Sequence, residues 1–87
     1  MSDEKTVRDG FLVAAANQVS SGDPPETKVA FERLIAEGHS ESETLQLIGA
    51  ALRVEMGRMI AESRPFDNAR YAELLRKLPK LETGVNP

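Results

Sequence analysis

The chain contains no cysteine and only one histidine, His39. Disulfides are therefore excluded, and a structural zinc site lacks the nitrogen and sulfur ligands it needs, so no metal and no cofactor are expected. There is no excess of positive charge. Fourteen acidic residues against eleven basic ones leave a net charge of −3, which argues against a nucleic-acid binder, since such proteins present a basic face to phosphates. No apolar run approaches the roughly 20 residues that span a bilayer, so no membrane association is expected. The six glycines are scattered and form no phosphate-cradling loop. No serine lies in a nucleophile-elbow pattern. Residues 1–5 are polar and acidic and carry neither a basic n-region nor an apolar h-region, so no signal peptide is expected and the cytoplasm is the expected location.

The length of 87 residues allows one domain. A chain this short buries only a little over half of its unfolded surface. With disulfides and structural metal excluded, self-association is the remaining common source of added stability.

The segment 40–63 is the most informative stretch present. At about 100° per residue, Leu45, Ile48, Leu52, Met56, Met59 and Ile60 fall on one side of a helix, while Leu47, Ala50, Val54 and Ala61 fall roughly opposite. A helix on the outside of a monomer needs one apolar stripe; two stripes imply cover from both sides. Gly49 and Gly57 lie inside this segment, each costing about 1 kcal/mol relative to alanine, so each calls for a reason such as close approach of another helix. Ser40-Glu41-Ser42-Glu43 is a capping box that opens this helix, and Arg64-Pro65 closes it.

Three further helices follow from the same reasoning. The first runs over about 5–20, with Val7, Phe11, Ala14, Ala15 and Gln18 on one face, and stops at Gly22. In the second, Asp23 is expected at the N-cap, Pro24 at N1 and Glu26 at N3; Ala30, Phe31, Leu34 and Ile35 form its apolar face, and Gly38 ends it. The short fourth helix is capped by Asp67 and runs over about 68–78, with Tyr71, Leu74, Leu75 and Leu78 together and the tyrosine hydroxyl directed to water. Residues 1–5 and 80–87 are expected to be flexible. The expected core comprises Phe11, Ala15, Val19, Phe31, Leu34, Ile35, Leu45, Ile48, Leu52, Met56, Met59, Tyr71, Leu74 and Leu78.

Chemistry-bearing residues read more simply as surface. His39 sits in a turn beside Gly38, with Glu37 and Glu41 as its nearest sequence acids. Ser20, Ser21, Ser40, Ser42 and Ser63 lie at helix ends, where capping accounts for them. Glu55 and Glu62 are spaced to pair with Arg58 on an exposed helix face. Arg70, Arg76, Lys77 and Lys80 suit a helix C-terminus. The turn Ile35-Ala36-Glu37-Gly38-His39-Ser40 has the layout of a DNA-reading helix–turn–helix. The helix after it, however, begins Glu41-Ser42-Glu43 and places acid where a recognition helix meets phosphate.

Ala16-Asn17-Gln18-Val19, Gly22-Asp23-Pro24-Pro25-Glu26, Leu34-Ile35-Ala36-Glu37-Gly38-His39-Ser40, Ile48-Gly49, Pro65-Phe66-Asp67 and Arg70-Tyr71 together resemble a family of small bacterial helical domains of unknown function. The resemblance covers residues 7–79 and implies an all-helical fold. Members carry spaced histidines on the first and third helices. The corresponding positions here are Arg8, Leu12, Ser42 and Gln46, so the resemblance supplies no metal or catalytic site.

The expected fold is all-α: a compact bundle of three main helices and a short C-terminal one over residues 6–79, with the long third helix central. The expected function is non-catalytic, a protein–protein interaction or self-association module. Its contact residues are Leu47, Ala50, Val54, Gly57 and Ala61, and its partner is a second copy or another protein. The alternatives are a DNA-binding helix–turn–helix regulator and a degenerate relative of a metal-dependent helical enzyme.

Overall fold

The computed structural model describes residues 3–81. Among them are four α-helices and no strand: α1 Asp3–Ser21, α2 Pro25–Ala36, α3 Glu41–Ala61 and α4 Asn68–Lys77. Of the stretches expected to be flexible, residues 1–2 and 82–87 lie outside the described residues, and α1 begins at Asp3, two residues ahead of its expected start. None of the four helices is long and apolar enough to cross a membrane.

Local chemistry sets the helix ends. Ser40 opens α3 with a complete capping box: its side chain accepts the Glu43 N–H at 3.0 Å, and the Glu43 carboxylate accepts the Ser40 N–H at 3.1 Å. Asp67 caps α4 by accepting the N–H groups of Ala69 and Arg70. At α2 the expected cap is corrected. Pro24, not Asp23, is the N-cap, no side chain caps the helix, and Pro25 takes the first helical position. The reason is steric, because a residue preceding proline is driven out of the helical region. Pro25 thus holds Pro24 extended, at ψ 151°, and helix formation starts one residue later.

The C-terminal ends of α2 and α3 share one hydrogen-bond pattern. After α2, His39 N–H donates to the Leu34 carbonyl and Gly38 N–H to that of Ile35, with Gly38 at φ +105°. After α3, Arg64 N–H donates to the Met59 carbonyl and Ser63 N–H to that of Ile60. These are paired 6→1 and 5→2 closures, which satisfy carbonyls that the helix leaves open. In α3 the left-handed position is filled by Ser63 at φ 52°. The helix therefore ends at Ala61, short of the Arg64-Pro65 stop that the sequence suggests.

α3 has 21 residues, about 31 Å of helix, so it runs the length of a molecule measuring 34 × 34 × 29 Å. It packs against α1, α2 and α4. The core is made by Ala15 of α1, Ala30 and Leu34 of α2, Ile48, Ala51 and Leu52 of α3, Tyr71, Leu74 and Leu75 of α4, and Leu78. Phe11, Val19, Phe31, Leu45 and Met56 are partly buried against it. Phe66 packs edge-on to Tyr71, with ring centroids 5.5 Å apart.

One expected core position moves outward, Ile35 at 37% exposed, and Ile60, expected on the same side of α3 as Ile48, is 71% exposed. Ile60 lies about 120° round the helix from Ile48, beyond the covered arc. The inner stripe of α3 is instead Thr44, Ile48, Ala51 and Glu55, at the i, i+4, i+7, i+11 spacing of one face. Two of its four members are polar, which hides it from a hydrophobicity pattern. Thr44 is tolerated there because its hydroxyl donates to the Ser40 carbonyl at 2.8 Å.

The two glycines of α3 differ in kind. A Cβ at Gly49 would stand 3.3 Å from the Phe11 carbonyl oxygen and 3.4 Å from its carbonyl carbon, so here the α1 backbone does approach closely. At Gly57 a Cβ would meet nothing within 4 Å, and the close approach expected there is not made within the described residues. Gly57→Ala is therefore expected to raise stability by about 1 kcal/mol, the helix-propensity difference. Gly49→Ala forfeits that gain, because the obstructing atoms are main chain. Urea unfolding of the two variants beside the parent measures the difference.

Candidate interaction surface

The inner arc of α3 is closed by α1, α2 and α4. On the opposite side, Ala50, Val54, Gly57 and Ala61 line one open trough of about 550 Å³, joined by Arg53, Arg58 and Leu81. These residues follow the i, i+4, i+7, i+11 spacing that places side chains in a row. Ala50 and Val54 are half-buried, while Gly57 and Ala61 are exposed. Leu47 is half-buried as well, but it belongs to a neighbouring depression with His39, Glu43, Gln46, Pro79 and Leu81. The structure thus brings four of the five expected contact residues together and sets Leu47 apart.

One part of this surface was not anticipated. Leu81 falls in the stretch expected to be a flexible tail, yet it forms one rim of the trough and is 37% exposed. The turn in which Lys80 N–H donates to the Lys77 carbonyl precedes it. A long-range placement of that kind leaves no periodic signal. Arg53 and Arg58, by contrast, were legible: they stand three residues after Ala50 and four after Val54, so they border the same row.

A second cleft adjoins the first between α1 and α3. It is lined by Arg8, Phe11, Leu12, Gln46, Gly49, Ala50 and Arg53. Three of the four positions that correspond to histidines in the resembled family, Arg8, Leu12 and Gln46, converge here. Ser42 stands one turn away, its hydroxyl accepting from Gln46 Nε2 at 3.4 Å. Among the described residues no group of three His, Cys, Asp or Glu side chains is placed to hold a metal ion. His39 Nδ1 lies 3.7 Å from Glu43 Oε1, so its acidic neighbour is Glu43 rather than Glu37 or Glu41. Glu41 and Glu43 are exposed in the first turn of α3, where a DNA-reading helix would meet phosphate.

Polar groups inside the fold position this surface. Glu55, expected on an exposed face, is fully buried. Its Oε2 accepts from Arg64 Nη1 at 2.7 Å and from the Asp67 N–H at 3.0 Å; its Oε1 faces Arg64 Nη2 at 3.3 Å. Arg64 and Arg70 both reach Glu62 as well. The Arg64 guanidinium holds the Glu55 carboxyl below the usual carboxylate range; burial opposes this, and the Asp67 amide adds to it. Glu62 is lowered in the same sense, first by Arg64, and Arg64 itself is raised by the two carboxylates.

A separate, partly buried set ties three helices. The Tyr71 hydroxyl donates to Gln18 Oε1 at 2.7 Å and Thr27 Oγ1 donates to the same atom at 2.8 Å. The tyrosine expected to reach water is instead only 1% exposed, and burial raises its pKa. Arg33 of α2 donates to the Leu75 and Leu78 carbonyls at 3.0 and 3.1 Å, closing the C-terminal end of α4.

Comparison with protein-family models, with curated proteins and with solved structures returns no match.

Because the Glu55 carboxyl is depressed in the folded chain, its contribution is complete above the unfolded carboxylate pKa and fades as pH falls through the folded one. Glu55→Gln is expected to cost about 3 kcal/mol at neutral pH, as loss of one member of a buried ion pair does. The gap between parent and variant should then narrow below about pH 4. Urea unfolding at pH 7, 4 and 3 checks both points; a gap independent of pH would show that the ionised form is not what stabilises the fold.

Proposed function

We propose that this chain is a non-catalytic protein–protein interaction module, a compact helical bundle built on α3, whose contact surface is the outer face of that helix. One observation carries the reading. Gly57 lies exposed within an apolar trough, and nothing in the described residues approaches it. A glycine inside a helix costs about 1 kcal/mol against alanine, and its counterpart Gly49 is accounted for by the α1 backbone at 3.3 Å. At Gly57 the cost has no return among the described residues. A second backbone brought against the helix from outside would supply one, as small residues do where helices pack closely.

The surrounding chemistry supports the same reading. Ala50, Val54 and Ala61 offer apolar area without bulk, and Arg53 and Arg58 give the polar rim that interfaces carry around an apolar centre. The acidic first turn of α3 gives nucleic acid no comparable footing.

A photocrosslinking aromatic residue at Gly57 tests the proposal, since the position has room for a side chain. It is expected to give an adduct of defined mass in cells, whereas the same residue at exposed Lys28 on α2 gives none. Val54→Asp added to the Gly57 probe should abolish the adduct while circular dichroism shows unchanged helix content. Equal labelling at the two positions would dispose of the outer face of α3 as a specific surface.

A further inference from the structure

The partner's chemistry can be read from the charge along this surface. The chain as a whole is acidic, with 14 carboxylate side chains against 11 basic ones. Yet the two adjoining clefts on the outer side of α3 are lined by Arg8, Arg53 and Arg58 and by no aspartate or glutamate among the described residues. They share Ala50 and Arg53 and so form one continuous apolar path with cations at its edges. We infer that the occupant of this path is an acidic amphipathic helix belonging to another protein, its apolar face against Ala50, Val54, Gly57 and Ala61 and its carboxylates facing Arg53 and Arg8. This rests on the interaction role proposed above.

Three physical points favour that occupant. The main-chain groups inside α3 are already bonded within the helix, so the surface offers no ladder to an extended strand, whose own N–H and C=O groups would be left unpaired. A helix brings its backbone already satisfied. Residues 50 to 61 cover about 16 Å, the length of roughly three helical turns. A second copy of this chain would bring the same arginines face to face across the contact and leave them repelling at close range. Nucleic acid would gain from the arginines but nothing from the apolar floor between them.

The test uses the full chain, labelled with ¹⁵N, and three helical peptides of about 14 residues, long enough to hold helix with alanine-rich spacing. All carry leucines at i, i+4, i+7 and i+11. Their flanks are glutamate, glutamine or lysine. The glutamate peptide is expected to shift the amides of Ala50, Val54, Gly57 and Ala61 and to bind about tenfold more tightly than the glutamine peptide at low salt, the advantage shrinking severalfold near 0.5 M salt. In an Arg8→Glu, Arg53→Glu double variant the order should invert, with the lysine peptide preferred; both positions are surface-facing, and an unchanged spectrum elsewhere reports that the fold is kept.

Equal affinity for the glutamate and glutamine peptides would overturn the acidic occupant and leave the docking surface standing. Shifts confined to other helices, or none with any peptide, would remove the surface and the proposed function with it. Concentration-dependent shifts of the same amides in the chain alone, matched by a dimer in sedimentation equilibrium, would assign the path to a second copy. A DNA duplex that shifts these amides at lower concentration than the glutamate peptide would overturn the inference in favour of nucleic acid.

Discussion

The buried Glu55 carboxylate governs how the second half of this molecule is arranged. It sits on the inner stripe of α3 with no exposure, yet its partners come from the segment after the helix: the Arg64 guanidinium and the Asp67 N–H. Asp67 is also the residue that caps α4. One side chain therefore joins the end of α3, the turn through Ser63 and the start of α4. A buried charge is costly unless its partners are well placed, and here both carboxylate oxygens are engaged. The left-handed Ser63 and the early end of α3 belong to the same arrangement. By turning the chain back at Ala61, they let Arg64 point down the face it has just left.

Two other polar ties serve the remaining junctions. Gln18, Thr27 and Tyr71 meet at one amide oxygen and connect α1, α2 and α4. Arg33 closes the carbonyl end of α4 from α2. A domain of this size with no cysteine has a modest apolar core, and its helices are registered by side chains that must find particular partners. No buried side-chain nitrogen or oxygen among the described residues is left without a partner. Each tie thus specifies geometry as well as adding stability, because misplacing a helix would strand a polar group in the interior.

With α1, α2 and α4 fixed on one side of α3, its other side is left as the long open surface. The half-buried Ala50 and Val54 and the exposed Gly57 and Ala61 owe their arrangement to the row spacing of a straight helix. Arg53 and Arg58 come with the same helix, whereas Arg8 and the rim at Leu81 depend on where α1 and the chain after α4 run. The surface is thus a consequence both of the row on α3 and of how the interior is registered.

The sequence by itself determined the four helices, the capping box of α3, the Asp67 cap of α4 and the turns that bound most of them, the apolar row on α4 and the outer row on α3. All of these rest on interactions within about four residues, which the order of side chains encodes directly. It left hidden the inner stripe of α3, where Thr44 and Glu55 look like surface residues, the inward turn of the Tyr71 hydroxyl toward Gln18, and the reach of Arg33 to the end of α4. It also gave Asp23 a cap that Pro25 displaced. Only the tertiary structure decided these. Whether a polar side chain faces water or the interior depends on a partner many residues away, such as Arg64 for Glu55 across a reversed turn, and periodicity records the polarity of a residue without recording what neutralises it.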